Sequence, residues 1–496
     1  MTSLEDKFHD ECAVVGVIGR DQAAHYCHLS LYAMQHRGQE GAGIASSDGQ
    51  YMYAHKDMGL VADVMRPDVL EELKGDLAIG HTRYATCGSK EWQNLQPLMA
   101  NFANNSFAIA HNGNLVNAWL LREELERSGS IFSTTSDTEV ILHLVARESQ
   151  DEPISERLRR ALEPVRGAYS LVVLSLGGLL AVRDPSGVRP LCLGRFNGGY
   201  IVASETCALD LVGAEFVRDI EPGEILEITK DGVMSSVRLS GQSRSALCVF
   251  EYVYFSRPDS CIAGKNVYQV RKRLGNQLAI EQPVDADVVI PVPDSGLAAA
   301  LGYAQQLGVP MEFGLIRNHY VGRTFIEPKQ SIRDFGVKVK LNVNPAIMKD
   351  RRVVLVDDSI VRGTTCKKLV KMVRAAGAKE VHFRVSSPPT ISPCHYGIDT
   401  PSRDELIASQ ISVKEIEKYI DADSLGYLSV SGMFKAVGRE QNSFCDACFT
   451  GAYPLGTPSD PDHFQEAHDV IRETGHEQHL KARGSVSFAV LEGKKA

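Results

Sequence analysis

Along the first 240 residues, short apolar runs alternate with breaks rich in Gly, Asn and Asp. AVVGVIG (13–19), LAIGHTRYATCG (77–88), FAIAHNGNLV (107–116), YSLVVLSL (169–176) and GYIVAS (199–204) have the length and apolar density of buried strands. Helical stretches fall between them, around 22–35, 116–127, 137–148 and 154–163. Strands and helices mixed without a regular strand–helix–strand alternation predict an α+β layered domain. The uncharged run from Gly167 to Val182 is shorter than the roughly 20 residues of a membrane span and is broken by Gly177-Gly178, so it predicts a hairpin. The polar segment SGQSRS (240–245) is the best boundary.

From about Asp287 the pattern changes. VVIPVP (288–293) runs into a turn at Asp294-Ser295-Gly296 and an Ala/Leu-rich helix, and PMEFGLIR (310–317) reads as another strand. VVLVDDS (353–359) leads into Gly363-Thr364-Thr365 and a helix with apolar Leu369, Met372, Val373 and Ala376, followed by the strand VHFRVSS (381–387). This repetition predicts a parallel sheet with ligands at the strand C-termini.

The length of 496 residues fits two or three domains, and 44% hydrophobic with 23% charged residues excludes wholesale disorder. With 53 basic and 62 acidic side chains the net charge is −9, which argues against a general nucleic-acid or membrane-surface binder. The acidic, polar start MTSLEDKFHDE is no secretory signal, and eleven cysteines, an odd number in a long chain, point to reduced thiols. The expected location is cytoplasmic.

In RRVVLVDDSIVRGTT (351–365) a buried strand ends in two acids, and a Ser/Gly/Thr turn then opens a helix whose backbone amides suit phosphate. The string resembles the signature of type I phosphoribosyltransferases, which bind 5-phosphoribosyl-1-pyrophosphate (PRPP). The resemblance implies that Asp357 and Asp358 hold the ribose hydroxyls and Mg2+. The loop Ser359, Ile360, Val361, Arg362, Gly363, Thr364 and Thr365 would wrap the 5′-phosphate, with Ser295 near the metal. Arg317, Arg323, Lys329 and Arg333 are either a solvated charge run or cations that close over pyrophosphate.

Cys12 begins CAVVGVIG, where a cysteine is ordinarily a small core hydrophobe. QHRGQEGAGI (35–44), GHTRYATCG (80–88), HNGNLVN (111–117) and STTSDTE (133–139) change that reading. Together these segments resemble class II, N-terminal-nucleophile glutamine amidotransferases. The resemblance implies loss of residues 1–11, which leaves Cys12 as nucleophile with its own α-amine as base. Asn112 and Gly113 would form the oxyanion hole, Arg83 would take the glutamine carboxylate and Asp137 its ammonium. Arg37 is expected to support the thiol site and His111 to be structural.

Cys445 and Cys448 form a C-x-x-C that is redox-active, half of a zinc site or incidental; Cys248 and Cys394 complete four ligands for zinc or an iron–sulfur cluster. The flanking EYVYFSRPDS and SFCDACFTG resemble the glutamine PRPP amidotransferases that carry a 4Fe–4S cluster and a propeptide, although Ser256 stands where that pattern has alanine. Cys27, Cys87, Cys192, Cys207, Cys261 and Cys366 are expected to be buried thiols.

The implied architecture is an α+β N-terminal-nucleophile hydrolase domain with αββα layers (12–240), then an α/β type I phosphoribosyltransferase domain (241–456). A propeptide (1–11) and a C-terminal helix or tail (457–496) flank them. The implied enzyme takes glutamine and PRPP to 5-phosphoribosylamine for purine synthesis, with one Mg2+ and one 4Fe–4S cluster per subunit. Also implied are a homotetramer, inhibition by AMP, GMP, ADP and GDP, and no nucleic-acid or membrane partner. Glucosamine-6-phosphate synthase and asparagine synthetase share the glutaminase half, but 353–365 fits neither. A PRPP-sensing regulator would need no nucleophile.

Overall fold

A computed structural model describes residues 12–84, 92–102, 105–149, 151–196, 198–239, 244–318, 341–458 and 491–492. Residues 1–11, Cys87, Arg323, Lys329, Arg333, most of the 240–245 boundary and nearly all of the C-terminal segment lie outside them.

The strand Ala13–Ile18 shows how the first half is layered. Ala13, Val15 and Val17 pack with Leu31 and Cys27 of the helix Ala23–Ala33, while Val14 and Ile18 face Val172, Leu174 and Leu179 of a second sheet. This is the period-two alternation of a strand buried on both faces. Gly16 fits because a Cβ there would meet Val172 and Leu179 at 2.6 and 2.8 Å. The first sheet is ordered Glu215–Asp219, Cys192–Phe196, Gly199–Ala203, Ala13–Ile18, Leu77–Arg83, Gly41–Ser47 and Tyr51–Met58, with Leu491–Glu492 on its edge. The second is ordered Met234–Arg238, Glu224–Thr229, Gly178–Arg183, Gly167–Ser175, Asn105–Leu115 and Leu98–Phe102. Its outer face, with Ile109, Leu171 and Val173, packs on the helices Ala118–Arg127, Thr138–Arg147 and Ile154–Ala161. Helices thus cover both sides of two facing sheets. The expected hairpin is present, pairing Leu174 with Leu179.

The second half carries a parallel sheet, Val288–Pro291, Arg352–Asp357, Glu380–Val385 and Ser424–Tyr427 in that order. The segment 310–317 differs from expectation. Only Met311 bridges to Val289, and Leu315–Arg317 pairs antiparallel with Leu341–Val343 in a separate ribbon. Pro310 has no amide to offer a ladder. At the C-terminus, Leu491 and Glu492 pair with Met52 and Tyr51 instead of forming part of a helix, because the Tyr51–Met58 edge is open to a further strand.

The halves meet at a buried charge network. Arg37, 1% exposed, donates to Glu205 at 2.7 Å and to both carboxylate oxygens of Glu251 at 2.7 and 3.0 Å. His36 also reaches Glu205 at 2.7 Å. Glu251 lies on a short helical turn, Glu251–Phe255, where Ser256 donates to its carboxylate and Arg189 approaches to 3.6 Å. Ser256, where alanine is expected, thus supplies one of the bonds that this acid receives.

Removing one partner from such a network strands the others, at a cost of about 3–5 kcal/mol. Arg37→Leu is therefore expected to lower the urea midpoint by a corresponding amount. Burial pushes the Glu205 carboxyl up, but His36 and Arg37 more than offset this and hold it well below the usual range. Its contribution is full above the unfolded value of about 4.3 and is lost as pH falls below it. Urea titrations between neutral pH and the acid range should show that loss in the parent and less of it in Arg37→Leu.

Candidate functional site

Cys12 precedes the strand Ala13–Ile18, whose first residue pairs with Thr82, so the thiol lies beside Arg83. Its Sγ donates to the Tyr84 carbonyl at 3.4 Å. Burial pushes the thiol up to about 11; Arg83 offsets part of this, while Asp137 and Glu40 add to it. Cys12, Arg83 and Asp137 are therefore close enough for their charges to act on one another. In the full chain the Cys12 nitrogen is acylated by Glu11 and is not basic.

Asn112 and Gly113 lie in the strand Asn105–Leu115, opposite Ser170 and Tyr169. Gly113 has φ +145°, and a Cβ would come within 2.0 Å of the Ala168 carbonyl oxygen, so only glycine fits. Asn112 is fully buried, and neither its Oδ1 nor its Nδ2 has a partner among the described residues. Leaving such a group unmet costs about 1–3 kcal/mol, which a ligand in the site would recover. Asp137, at the start of the helix Thr138–Arg147, accepts from the Leu115 amide at 2.9 Å and the Thr138 hydroxyl at 3.2 Å. Burial pushes its carboxyl up, but His111 and these bonds bring it below the usual range. Arg83 donates to the Asn94 carbonyl. A cation and an anion beside the thiol match the two charged ends of an amino acid.

The histidines are committed elsewhere. His111 meets Thr138 Oγ1 at 3.0 Å through Nδ1 and the Ala168 carbonyl at 3.4 Å through Nε2, in keeping with a structural role. His81 contacts the His111 carbonyl at 3.0 Å, and burial lowers its pKa to about 3. The Arg37 guanidinium reaches Glu205 and Glu251 at the joint between the halves. Its neighbour Gly38 does brace the thiol site, because a Cβ there would meet the Thr82 and Arg83 backbone at 2.8–2.9 Å.

At the C-terminal end of the parallel sheet, Asp357 closes the strand Arg352–Asp357 and Gly363, with φ +76°, turns the chain into the helix Thr364–Ala375. Asp357 and Asp358 are each 1% exposed. The Asp358 amide donates to Asp357 Oδ1 at 2.9 Å, the Ser359 hydroxyl donates to Asp358 Oδ2 at 2.7 Å, and Ser295 Oγ lies 3.5 Å from Asp357 Oδ1. Ile360 and Val361 turn their side chains into the core, so only backbone is left for a ligand there. Arg362 pairs with Glu405 at 3.1 Å, Thr364 is exposed and Thr365 half-buried. Arg317 reaches Asp294 beside this loop.

The four cysteines come together from three distant segments. Cys248 and Cys445 are register partners in a two-residue parallel ladder. Cys448 follows on the turn Ala447–Thr450, and all three line one cavity with Cys394, closed by Phe250, Tyr396 and Tyr453. Burial, together with neighbouring Cys394, pushes the Cys445 thiol up to about 12; burial and the other three thiols raise Cys448 well above the ordinary thiol value. Four thiols in an apolar cavity, whose thiolate forms would repel one another, suit a positively charged centre. Among the described residues no group of three or more His, Cys, Asp or Glu side chains converges on a single metal ion. A cubane, whose four irons each take one thiolate, does not need such convergence. Of the remaining cysteines, Cys27, Cys192, Cys207 and Cys366 are buried, but Cys261 is exposed on the short ribbon it forms with Asn266.

Sequence reasoning missed Glu205, Glu251, Arg189 and Arg271. Arg271 donates to the carbonyls of Tyr252 and Ser256 at 2.9 and 2.7 Å and lies within the field of Asp358. Only the charge within the apolar EYVYF string hinted at a buried acid. Among the described residues no helix is long and apolar enough to cross a membrane.

Comparison with known proteins places these sites in context. The model of a glutamine amidotransferase domain matches residues 81–211, and that of a phosphoribosyl transferase domain matches 264–389. Amidophosphoribosyltransferase of Rhizobium etli is 52% identical over 90% of this chain and 92% of its own length. The Bacillus subtilis enzyme of that name is 49% identical over 90% of this chain and 94% of its own. A solved structure of B. subtilis glutamine PRPP amidotransferase complexed with ADP and GMP has a TM-score of 0.86 at 49% identity, covering 90% of this chain and 98% of that one. With a glutamine amidotransferase match and a phosphoribosyl transferase match on one chain, and half-identical relatives spanning nearly all of it, the chain belongs to the amidophosphoribosyltransferases, which are both glutamine amidotransferases and pentosyltransferases.

Proposed function

We propose that Cys12 attacks the glutamine carboxamide after residues 1–11 have been removed. Its freed α-amine takes the thiol proton and later delivers a proton to the leaving ammonia. Asn112 and Gly113 stabilise the tetrahedral oxyanion, Arg83 holds the substrate carboxylate and Asp137 its ammonium. The partnerless, buried amide of Asn112 carries this reading. Water hydrolyses the thioester to glutamate. Ammonia displaces pyrophosphate from C1 of PRPP, giving 5-phosphoribosylamine for purine synthesis. Asp357 and Asp358 orient the ribose, and the loop 359–365 with the following helix N-terminus holds the 5′-phosphate. Bound Mg2+, held near Ser295, Asp357 and Asp358, would screen the pyrophosphate charge.

Residues 12–240 form the glutaminase unit in this reading, 241–456 the transferase unit and 457–496 a tail. Cys248, Cys394, Cys445 and Cys448 hold a 4Fe–4S cluster, which would staple the C-terminal segment to the middle of the chain. An odd number of cysteines, eleven in a long chain, supports a reducing, cytoplasmic setting. The ADP and GMP bound by the B. subtilis relative support purine nucleotides as inhibitors, and a homotetramer is the expected assembly.

Anaerobically purified protein, assayed with glutamine and Mg2+, is expected to release glutamate slowly without PRPP and fast with it, with matching pyrophosphate. Glutamate release that ignores PRPP would sink the coupled reading, and no release from a chain starting at Cys12 would favour a PRPP sensor. Cys12→Ala, or a chain still carrying Glu11, should lose glutamine-dependent synthesis by about 10⁴-fold or more while ammonia still supports it. Cys445→Ser should abolish the brown iron–sulfur absorbance and the iron found by metal analysis; a variant that keeps four irons would refute this ligand.

A further inference from the structure

The strand that carries Asn112 and Gly113 is gripped from outside its own sheet. Asn114, 3% exposed, donates through Nδ2 to the His395 carbonyl at 2.9 Å, a bond between residues 281 positions apart. Two residues on, Gly397 has φ +107°, and a Cβ there would lie 2.9 Å from both C and Cα of Gly113. Gly113 is thus confined on both sides, by the Ala168 carbonyl and by Gly397, and each contact excludes even a methyl group.

The gripping turn is itself immobilised. Arg189, fully buried, donates to the Tyr396 carbonyl through Nε at 2.9 Å and Nη2 at 2.7 Å. The Tyr396 hydroxyl donates to the Gly456 carbonyl and accepts from the Leu455 amide, both at 2.8 Å. Ordinary packing contact between halves would need neither a glycine at 397 nor a side-chain bond aimed at a backbone carbonyl.

We propose that His395–Gly397 is a positioning clamp for the glutaminase reaction, with Asn114 and Gly397 fixing the Gly113 peptide where the developing oxyanion requires it. This rests on reading Asn112 and Gly113 as the oxyanion hole. Neither Asn114 nor Gly397 touches substrate. Their effect falls on the transition state, because an oxyanion donor acts mainly after the carbonyl carbon becomes tetrahedral.

The test uses full-length, anaerobically purified Gly397→Ala, Asn114→Ala and, as a control on the underlying reading, Asn112→Ala. Each is assayed with glutamine and with ammonia as nitrogen source, alongside iron content. A misplacement of about 1 Å can cost about 100-fold, so the first two variants should lose roughly 10- to 100-fold in kcat with glutamine. KM for glutamine, ammonia-dependent synthesis and iron content should stay near parental. Equal loss of both activities, or a rise in KM without loss of kcat, assigns the contacts to general packing and overturns the clamp. An impaired Asn112→Ala beside unimpaired Gly397→Ala and Asn114→Ala overturns the clamp alone. An unimpaired Asn112→Ala overturns the oxyanion reading and the clamp with it. If Gly397→Ala does not fold, Asn114→Ala, which removes one bond and adds no clash, decides the matter.

Discussion

The Glu251 carboxyl has no access to water, and its oxygens are met by Arg37 and Ser256, with Arg189 close by. Such an acid tolerates little displacement of its partners, because the low-dielectric interior that strengthens each bond also magnifies the loss of one. Arg37 belongs to the loop that braces the Cys12 site, and Arg189 to the segment that grips Tyr396. The turn bearing Glu251 also presents the Tyr252 and Ser256 carbonyls to Arg271, which feels Asp358 in the phosphoribosyl loop. One buried acid therefore sits among elements leading to both sites.

Close backbone approach supplies the other constraint. Gly38, Gly113 and Gly397 each lie where a Cβ would strike a neighbouring main chain, at Thr82 and Arg83, at Ala168, and at Gly113 itself. Strands and turns brought to that distance have few alternative positions. Carbonyl chemistry benefits, since preorganised donors need no reorganisation as charge develops.

Much of this was legible in the sequence because it is local. The nearly unbroken apolar runs 13–18 and 169–174 encode two-sided burial, and the string 351–365 encodes a strand, acids, a turn and a helix start that fold side by side. Cys445 and Cys448 announce themselves by spacing, whereas their meeting with Cys248 depends on a two-residue ladder that no local pattern predicts. The strand Ser424–Tyr427 escaped for a similar reason: four residues, SLGY, carry too little apolar signal, and only the open edge beside Glu380–Val385 makes them a strand. The QHRGQE loop points Arg37 toward the thiol site, but not toward the joint between the halves. Its side chain reaches acids 168 and 214 positions away, and charge partners at that separation have no signature in a single sequence.

The state of the nucleophile shows what the fold can and cannot supply. A thiol that burial pushes up to about 11 is held protonated at neutral pH, so attack on a carboxamide needs a base. Neither nearby histidine fits: both ring nitrogens of His111 face oxygen atoms of Thr138 and Ala168, and His81 is buried with its pKa near 3. Asp137 is held below the usual carboxylate range, and its oxygens are occupied by Leu115 and Thr138. The remaining nitrogen is that of Cys12 itself, an amide while Glu11 is attached and an amine of pKa about 8 once it is free. An amine of that strength matches the operating pH as a general base should. In that reading the removal of residues 1–11 does more than open the site, because it creates a base that His111, His81 and Asp137 do not provide.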